Sequence, residues 1–138
     1  MTWKKNIYDS LIGCAALCDE VATTSSRQPD IEKYYRFIFL NLDCADLCRQ
    51  VAVLYVRGSE NTRLLAKACI EVCEKCAEES ATIAIDEAKQ VSVMCHQTIQ
   101  SCTSILGTDQ NAAMDPVNPT TTPSSLFYGI DLRETIYN

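Results

Sequence analysis

Nine cysteines in a chain of 138 residues restrict what it can fold into more than any other feature, because their spacing is helical throughout. They form four groups: Cys14/Cys18, Cys44/Cys48, Cys69/Cys73/Cys76 and Cys95/Cys102. Residues three, four or seven apart lie on one face of an α-helix, so each group draws a stripe of thiols where a bundle ordinarily places leucine or valine. A single buried cysteine is a small, chemically silent hydrophobe. Nine of them on the inward stripes of four successive helices require a repeated coincidence under that reading, whereas soft sulfur donors lining a core are what a thiophilic metal ion needs.

The apolar periodicity predicts an all-α chain, an antiparallel four-helix bundle with a C-terminal non-helical tail. Ile7, Leu11, Cys14, Cys18 and Val21 recur at steps of four and three and predict a first helix over about 5–22. Thr23 to Pro29 reads as a polar connector, with Pro29 tolerable in the first turn of the second helix. Tyr34, Phe37, Asn41, Cys44, Cys48, Val51 and Tyr55 predict that second helix from Ile31 to about Arg57. Gly58 is placed to stop it, and Ser59 to cap the third. The third carries Leu65, Cys69, Val72, Cys73, Cys76 and Ser80. Ser80, Thr82 or Asp86 each suit as cap of the fourth, whose Ala88, Val91, Cys95, Ile99, Cys102 and Leu106 run to a stop at Gly107. Residues 1–107 thus form a cysteine-lined bundle. Residues 108–138 form a Pro/Thr/Ser-rich linker, with Pro116, Pro119 and Pro123, and an apolar tail from Leu126 to Tyr137.

A chain of this length buries one core without covalent staples. Acidic residues outnumber basic ones by 18 to 12, a formal charge of −6, which argues against nucleic acid, since phosphate binding needs clustered Lys and Arg. No apolar run approaches the ~20 residues that cross a bilayer, and the N-terminus lacks the uninterrupted apolar stretch of a signal peptide. A cytoplasmic protein without membrane partners is expected. An odd cysteine count in a reducing compartment weakens a disulfide framework. Helical geometry weakens it further, because Cβ atoms of i and i+4 lie about 5–6 Å apart and a disulfide wants about 3.5–4.5 Å. The same separation suits two thiolates gripping one metal through bonds of about 2.3 Å, the zinc–sulfur value.

Zinc is the alternative metal, with Cys69, Cys73, Cys76 and one further thiol as a tetrahedral set, but one such site leaves five cysteines unused. An iron–sulfur cluster typically draws its ligands from irregular runs that wrap it. Cu(I) fits better, being matched to thiolates and needing little beyond sulfur pairs at the right reach. Two segments carry a resemblance. Leu42-Asp43-Cys44-Ala45-Asp46-Leu47-Cys48-Arg49, and Ala68-Cys69-Ile70-Glu71-Val72-Cys73-Glu74-Lys75-Cys76-Ala77-Glu78-Glu79, with the Arg57-Gly58-Ser59 turn between them, are similar to the cysteine-rich four-helix-bundle copper storage proteins. The likeness spans residues 5–107. It implies a bundle that holds several Cu(I) ions through C-x₃-C pairs, with all nine cysteines as metal ligands, and a homo-oligomer, commonly a tetramer. Ser80 and Ile99 stand where richer members carry cysteine, so a reduced capacity is expected. Met94 and His96 are the only candidates near the end where the family places an entry route. They project to opposite flanks of Cys95, so at most one faces the sulfurs.

Catalysis has little support. The chain holds one histidine, and neither a Ser-His-Asp arrangement nor a hydrolytic zinc motif is visible. The chain is read as a non-enzyme that stores or buffers copper in the cytoplasm. Two other classes stay open: a thiol redox protein using Cys73-x₂-Cys76, and a structural or adaptor bundle whose tail docks a partner. The tail either folds back over the bundle or presents a docking peptide beyond a flexible linker.

Overall fold

The computed structural model describes residues 2–113, with the side chains of residues 4–107. Four α-helices account for nearly all of it: α1 (Thr2–Ser26), α2 (Tyr35–Val56), α3 (Thr62–Ser80) and α4 (Glu87–Ala113), with one 3₁₀ turn, Ile31–Tyr34, ahead of α2. α1 packs mainly on α2 and α3 on α4, while α2 on α3 and α1 on α4 complete the ring of a four-helix bundle. α2 and α3 run antiparallel, since Cys44 meets Cys73 while Cys48, one turn later, meets Cys69, one turn earlier.

The inward stripes are those the periodicity predicts. Leu11, Cys14, Cys18 and Val21 of α1, Phe37, Cys44, Cys48 and Val51 of α2, Ala66, Cys69, Cys73 and Cys76 of α3, and Val91, Cys95, Cys102 and Ile105 of α4 are all buried. Several element ends differ from the sequence reading, α1 beginning at Thr2. α1 continues through Thr23 to Ser26, because Thr23 Oγ1 donates to the Asp19 carbonyl at 2.9 Å and Ser26 Oγ to the Thr23 carbonyl at 2.6 Å, so the hydroxyls bond back into the helix instead of breaking it. α2 starts at Tyr35 rather than Ile31, and the residues after Pro29 form the tighter 3₁₀ turn. α3 starts at Thr62 rather than just after Ser59. α4 passes through Gly107 without stopping and runs to Ala113. A helical glycine costs only about 1 kcal/mol relative to alanine, too little to end a helix on its own.

Gly58 does end α2. Its φ of +69° lets its N–H reach the Tyr55 carbonyl at 3.1 Å and the next N–H, of Ser59, reach the Leu54 carbonyl at 2.9 Å, the paired closure that uses up the last free carbonyls of a helix. Ser59 shapes the turn rather than capping α3: its Oγ accepts from the Asn61 N–H at 3.1 Å and its carbonyl from Thr62 Oγ1 at 2.7 Å. Of the three caps expected for α4, Asp86 is the one that directly precedes it. No described helix is long and apolar enough to cross a membrane. The first residues of the expected linker, 108–113, belong to α4 instead, and the rest of it, with the Leu126–Tyr137 segment, lies outside the described residues.

Candidate metal centre

All nine cysteines are free and buried, and the helix spacing that put them on one face brings their sulfurs together. Within helices, Cys14 and Cys18 lie 4.0 Å apart, Cys44 and Cys48 4.0 Å, and Cys69 and Cys73 3.9 Å. Between helices, Cys44 reaches Cys73 at 3.3 Å and Cys48 reaches Cys69 at 3.8 Å. With metal–sulfur bonds of about 2.3 Å, two sulfurs sharing one ion sit about 3.8 Å apart at a tetrahedral angle and about 4.0 Å apart at a trigonal one. The intrahelical pairs already stand at that separation, so an ion enters without the backbone moving.

Two groups converge further. The sulfurs of Cys14, Cys18, Cys44 and Cys95 all lie within 4.8 Å of one another, and so do those of Cys44, Cys48 and Cys73. The first draws on α1, α2 and α4 and the second on α2 and α3, so together they tie all four helices, and Cys44 belongs to both. The fourfold set is therefore not built around the Cys69/Cys73/Cys76 triplet, as a zinc reading of the sequence expects. Cys73 turns its sulfur to Cys44 and Cys69, while Cys76 is among the thiols acting on Cys18 and Cys102 is among those acting on Cys69.

The ionisation of the thiols follows from this crowding. Cys14, Cys44 and Cys69 are held below the ordinary thiol value by neighbours that donate to them, with Cys18 the foremost at Cys14, Cys14 at Cys44 and Cys102 at Cys69. Their neighbours move the other way. Cys18, Cys48, Cys73 and Cys95 are pushed up, foremost by hydrogen bonding to Cys14, and Cys102 by hydrogen bonding to Cys69, with burial adding in each case. A cation that binds the raised thiols must displace the protons they hold.

The gaps in the sulfur lining are polar. Ser80 is buried and its Oγ donates to the Cys76 carbonyl at 2.6 Å. Between Cys95 and Cys102 the fully buried residue is Thr98, whose Oγ1 has no partner, while Ile99 is only partly buried. The inward position of α4 between Cys95 and Cys102 is thus Thr98, while Ile99, where the resemblance places a further thiol, lies to its side. Asn41, one turn before Cys44, is also fully buried. Its Nδ2 donates to the Phe37 carbonyl at 2.8 Å, and its Oδ1 is unpartnered. Periodicity places Asn41 on the inward stripe without assigning it chemistry. Of the two entry candidates, His96 is exposed. Met94 is half-buried and lines the outer groove between α1 and α4 with Leu17 and Val93, its terminal methyl 3.8 Å from where a Cβ on Gly13 would stand.

Comparison with known proteins agrees with this geometry. No curated protein and no solved structure matches the chain. The family described as copper storage protein matches residues 2–107, a span that contains every cysteine and all of the bundle's described core. A thiol-lined four-helix bundle matched over that length belongs to the copper storage protein family.

Proposed function

We propose that the chain stores or buffers copper as Cu(I) in the cytoplasm, several ions per chain, held by thiolates of the nine core cysteines. One observation carries the reading. Sulfurs of α2 and α3 approach at 3.3 to 4.0 Å in linked pairs, and the α1 pair, 4.0 Å apart, lies within 4.8 Å of Cys44, which gives neighbouring ions shared bridging ligands. Cu(I) accepts low coordination by soft sulfur, so a ladder of pairs suits it. The family is one of storage, and the reading assigns no catalytic residue. By the same resemblance we take the protein to act as a homo-oligomer, a tetramer being the common assembly.

A single zinc ion at Cys14, Cys18, Cys44 and Cys95 is the second reading, favoured by their mutual approach within 4.8 Å. An anaerobic titration separates the two. Reduced, metal-free protein receives Cu(I) in the presence of a competing chelator, and retained ions are counted per chain. Several retained ions are expected. One ion, with zinc preferred, establishes the second reading, and none returns the thiols to redox or packing roles. The affinity in that competition falls as pH is lowered, because each thiol that releases a proton to bind metal faces rising competition from protons. An affinity that stays constant from neutral to mildly acidic pH would show that the ligands are not titrating thiols.

The polar gaps give a gain-of-function test. Replacing Thr98 with Cys closes the α4 stripe at steps of three and four between Cys95 and Cys102. It also removes an unpartnered buried hydroxyl, whose desolvation costs about 1–3 kcal/mol. T98C is expected to retain about one more copper ion per chain and to melt no lower than the parent. An unchanged count would place Thr98 outside the metal-lined volume.

A further inference from the structure

α2 carries two heptad seams. The inward one holds Phe37, Asn41, Cys44, Cys48, Val51 and Tyr55. The outward one, at steps of four and three on the opposite side, holds Tyr35, Phe39, Leu42, Asp46, Arg49, Val53 and Val56. Its apolar members are well exposed: Phe39 62%, Leu42 39%, Val53 44% and Val56 45%. Exposed Leu64 and Val93 lie on other helices, and scattered exposed hydrophobes are ordinary. A stripe that runs along one helix at coiled-coil spacing is different, because it presents a seam that another helix fills.

The order of residues in the seam says which helix. Phe39 and Val56, Leu42 and Val53, and Asp46 and Arg49 are each equidistant from a point between residues 47 and 48. An antiparallel copy of α2, related by a two-fold axis through that point, therefore sets Phe39 against Val56, Leu42 against Val53 and Asp46 against Arg49, each twice. The apolar pairs flank a central charged layer that is complementary with itself, as a two-fold interface requires. The charges are pre-positioned. Arg49 is held across the helix surface by Asp19 at 2.6 Å and Asp46 at 2.7 Å, and a guanidinium has further donors for a second carboxylate. A parallel copy would place Asp46 on Asp46 and Arg49 on Arg49, which disfavours it.

We propose that the outward face of α2, from Phe39 to Val56, is a two-fold interface with a second copy of this chain, in antiparallel register about residues 47 and 48. A larger assembly contains this pair as its unit. The proposal specifies the contact behind the homo-oligomer reading and rests on that reading, though not on copper, since the thiols face the other way.

Sedimentation velocity on the full, reduced, metal-free chain tests both separately. The parent is expected to sediment as a dimer or a multiple of dimers. A parent that is monomeric at every concentration overturns the homo-oligomer reading and the interface together. V53D buries a carboxylate in the seam, and D46R and R49D each oppose like charges, so each is expected to weaken self-association by about 100-fold or more. An equimolar mixture of D46R and R49D restores an opposite-charge pair at both junctions and is expected to recover the parent's mass. Variants that associate like the parent keep the oligomer but overturn this face. Variants that fall apart without recovery on mixing overturn the antiparallel register. Retained helical circular dichroism and unchanged copper uptake confirm that each variant is folded.

Discussion

Loading the reduced protein with Cu(I) is expected to raise its melting temperature by tens of degrees. In the metal-free state the centre of the bundle is filled by thiols at van der Waals reach, with Ser25, Asn41 and Thr98 burying polar oxygens that have no partner. That core is thinner in apolar volume than one packed with leucine. An ion bound by Cys14, Cys18, Cys44 and Cys95 would cross-link α1, α2 and α4, and one bound by Cys44, Cys48 and Cys73 would cross-link α2 and α3. A ligand present at a hundred times its dissociation constant stabilises the native state by about 2.7 kcal/mol per site. Three or four ions therefore contribute on the order of 10 kcal/mol. For a domain of this size each kcal/mol moves the midpoint by about 2–8 °C. The unfolded chain keeps its thiols and binds some copper, which reduces the effect without reversing it. Anaerobic calorimetry of the metal-free, loaded and chelator-stripped protein measures it, with stripping expected to return the original midpoint. A loaded protein that melts within a few degrees of the metal-free form would mean that copper sits on the surface rather than among the helices.

Much of this arrangement can be read from spacing. The cysteines of α1, α2 and α3 stand at steps of three and four, and that pattern alone settles which face is buried. α4 shows the limit of the method. Relative to the Cys95/Cys102 seam, Thr98 and Ile99 project about 50° to either side, so periodicity cannot choose between them, and hydropathy favours isoleucine. Packing against the neighbouring helices decides for Thr98. The outward seam of α2 is obscured in a similar way. Phe37 and Phe39 stand close in sequence but about 200° apart on a helix, and the first is buried while the second faces out. Helix ends depart from composition where a side chain or a tolerated glycine overrules it, at Thr23 and Ser26 in α1 and at Gly107 in α4. Which sulfurs meet across the bundle is beyond any reading of spacing, because it depends on the axial offset between helices. The structure sets Cys44 beside Cys73 and Cys48 beside Cys69.

That offset makes one cysteine unequal to the rest, and replacing it is expected to remove more copper than replacing any peripheral thiol. Cys44 is 4.0 Å from Cys48 and 3.3 Å from Cys73, and it is the member common to both convergent groups. A ligand shared by two sets of donors bridges the ions they hold, so its loss opens both sets at once. Cys102 belongs to neither group and acts chiefly on Cys69. C44S is expected to cost at least two ions per chain in an anaerobic chelator competition, and C102S at most one. Serine is tolerated at such a position, as Ser80 shows by donating to the carbonyl four residues back at 2.6 Å. The hydroxyl of C44S has the Leu40 carbonyl at the same offset. The folding penalty is then of the order of 1 kcal/mol, small enough for circular dichroism to show a native helix content. C44S and C48S are expected to add only in part, since both open the Cys44/Cys48/Cys73 group while C48S alone also opens the pair with Cys69. Equal losses from C44S and C102S would mean that each ion is held by its own pair of sulfurs, with no thiolate bridging between sites.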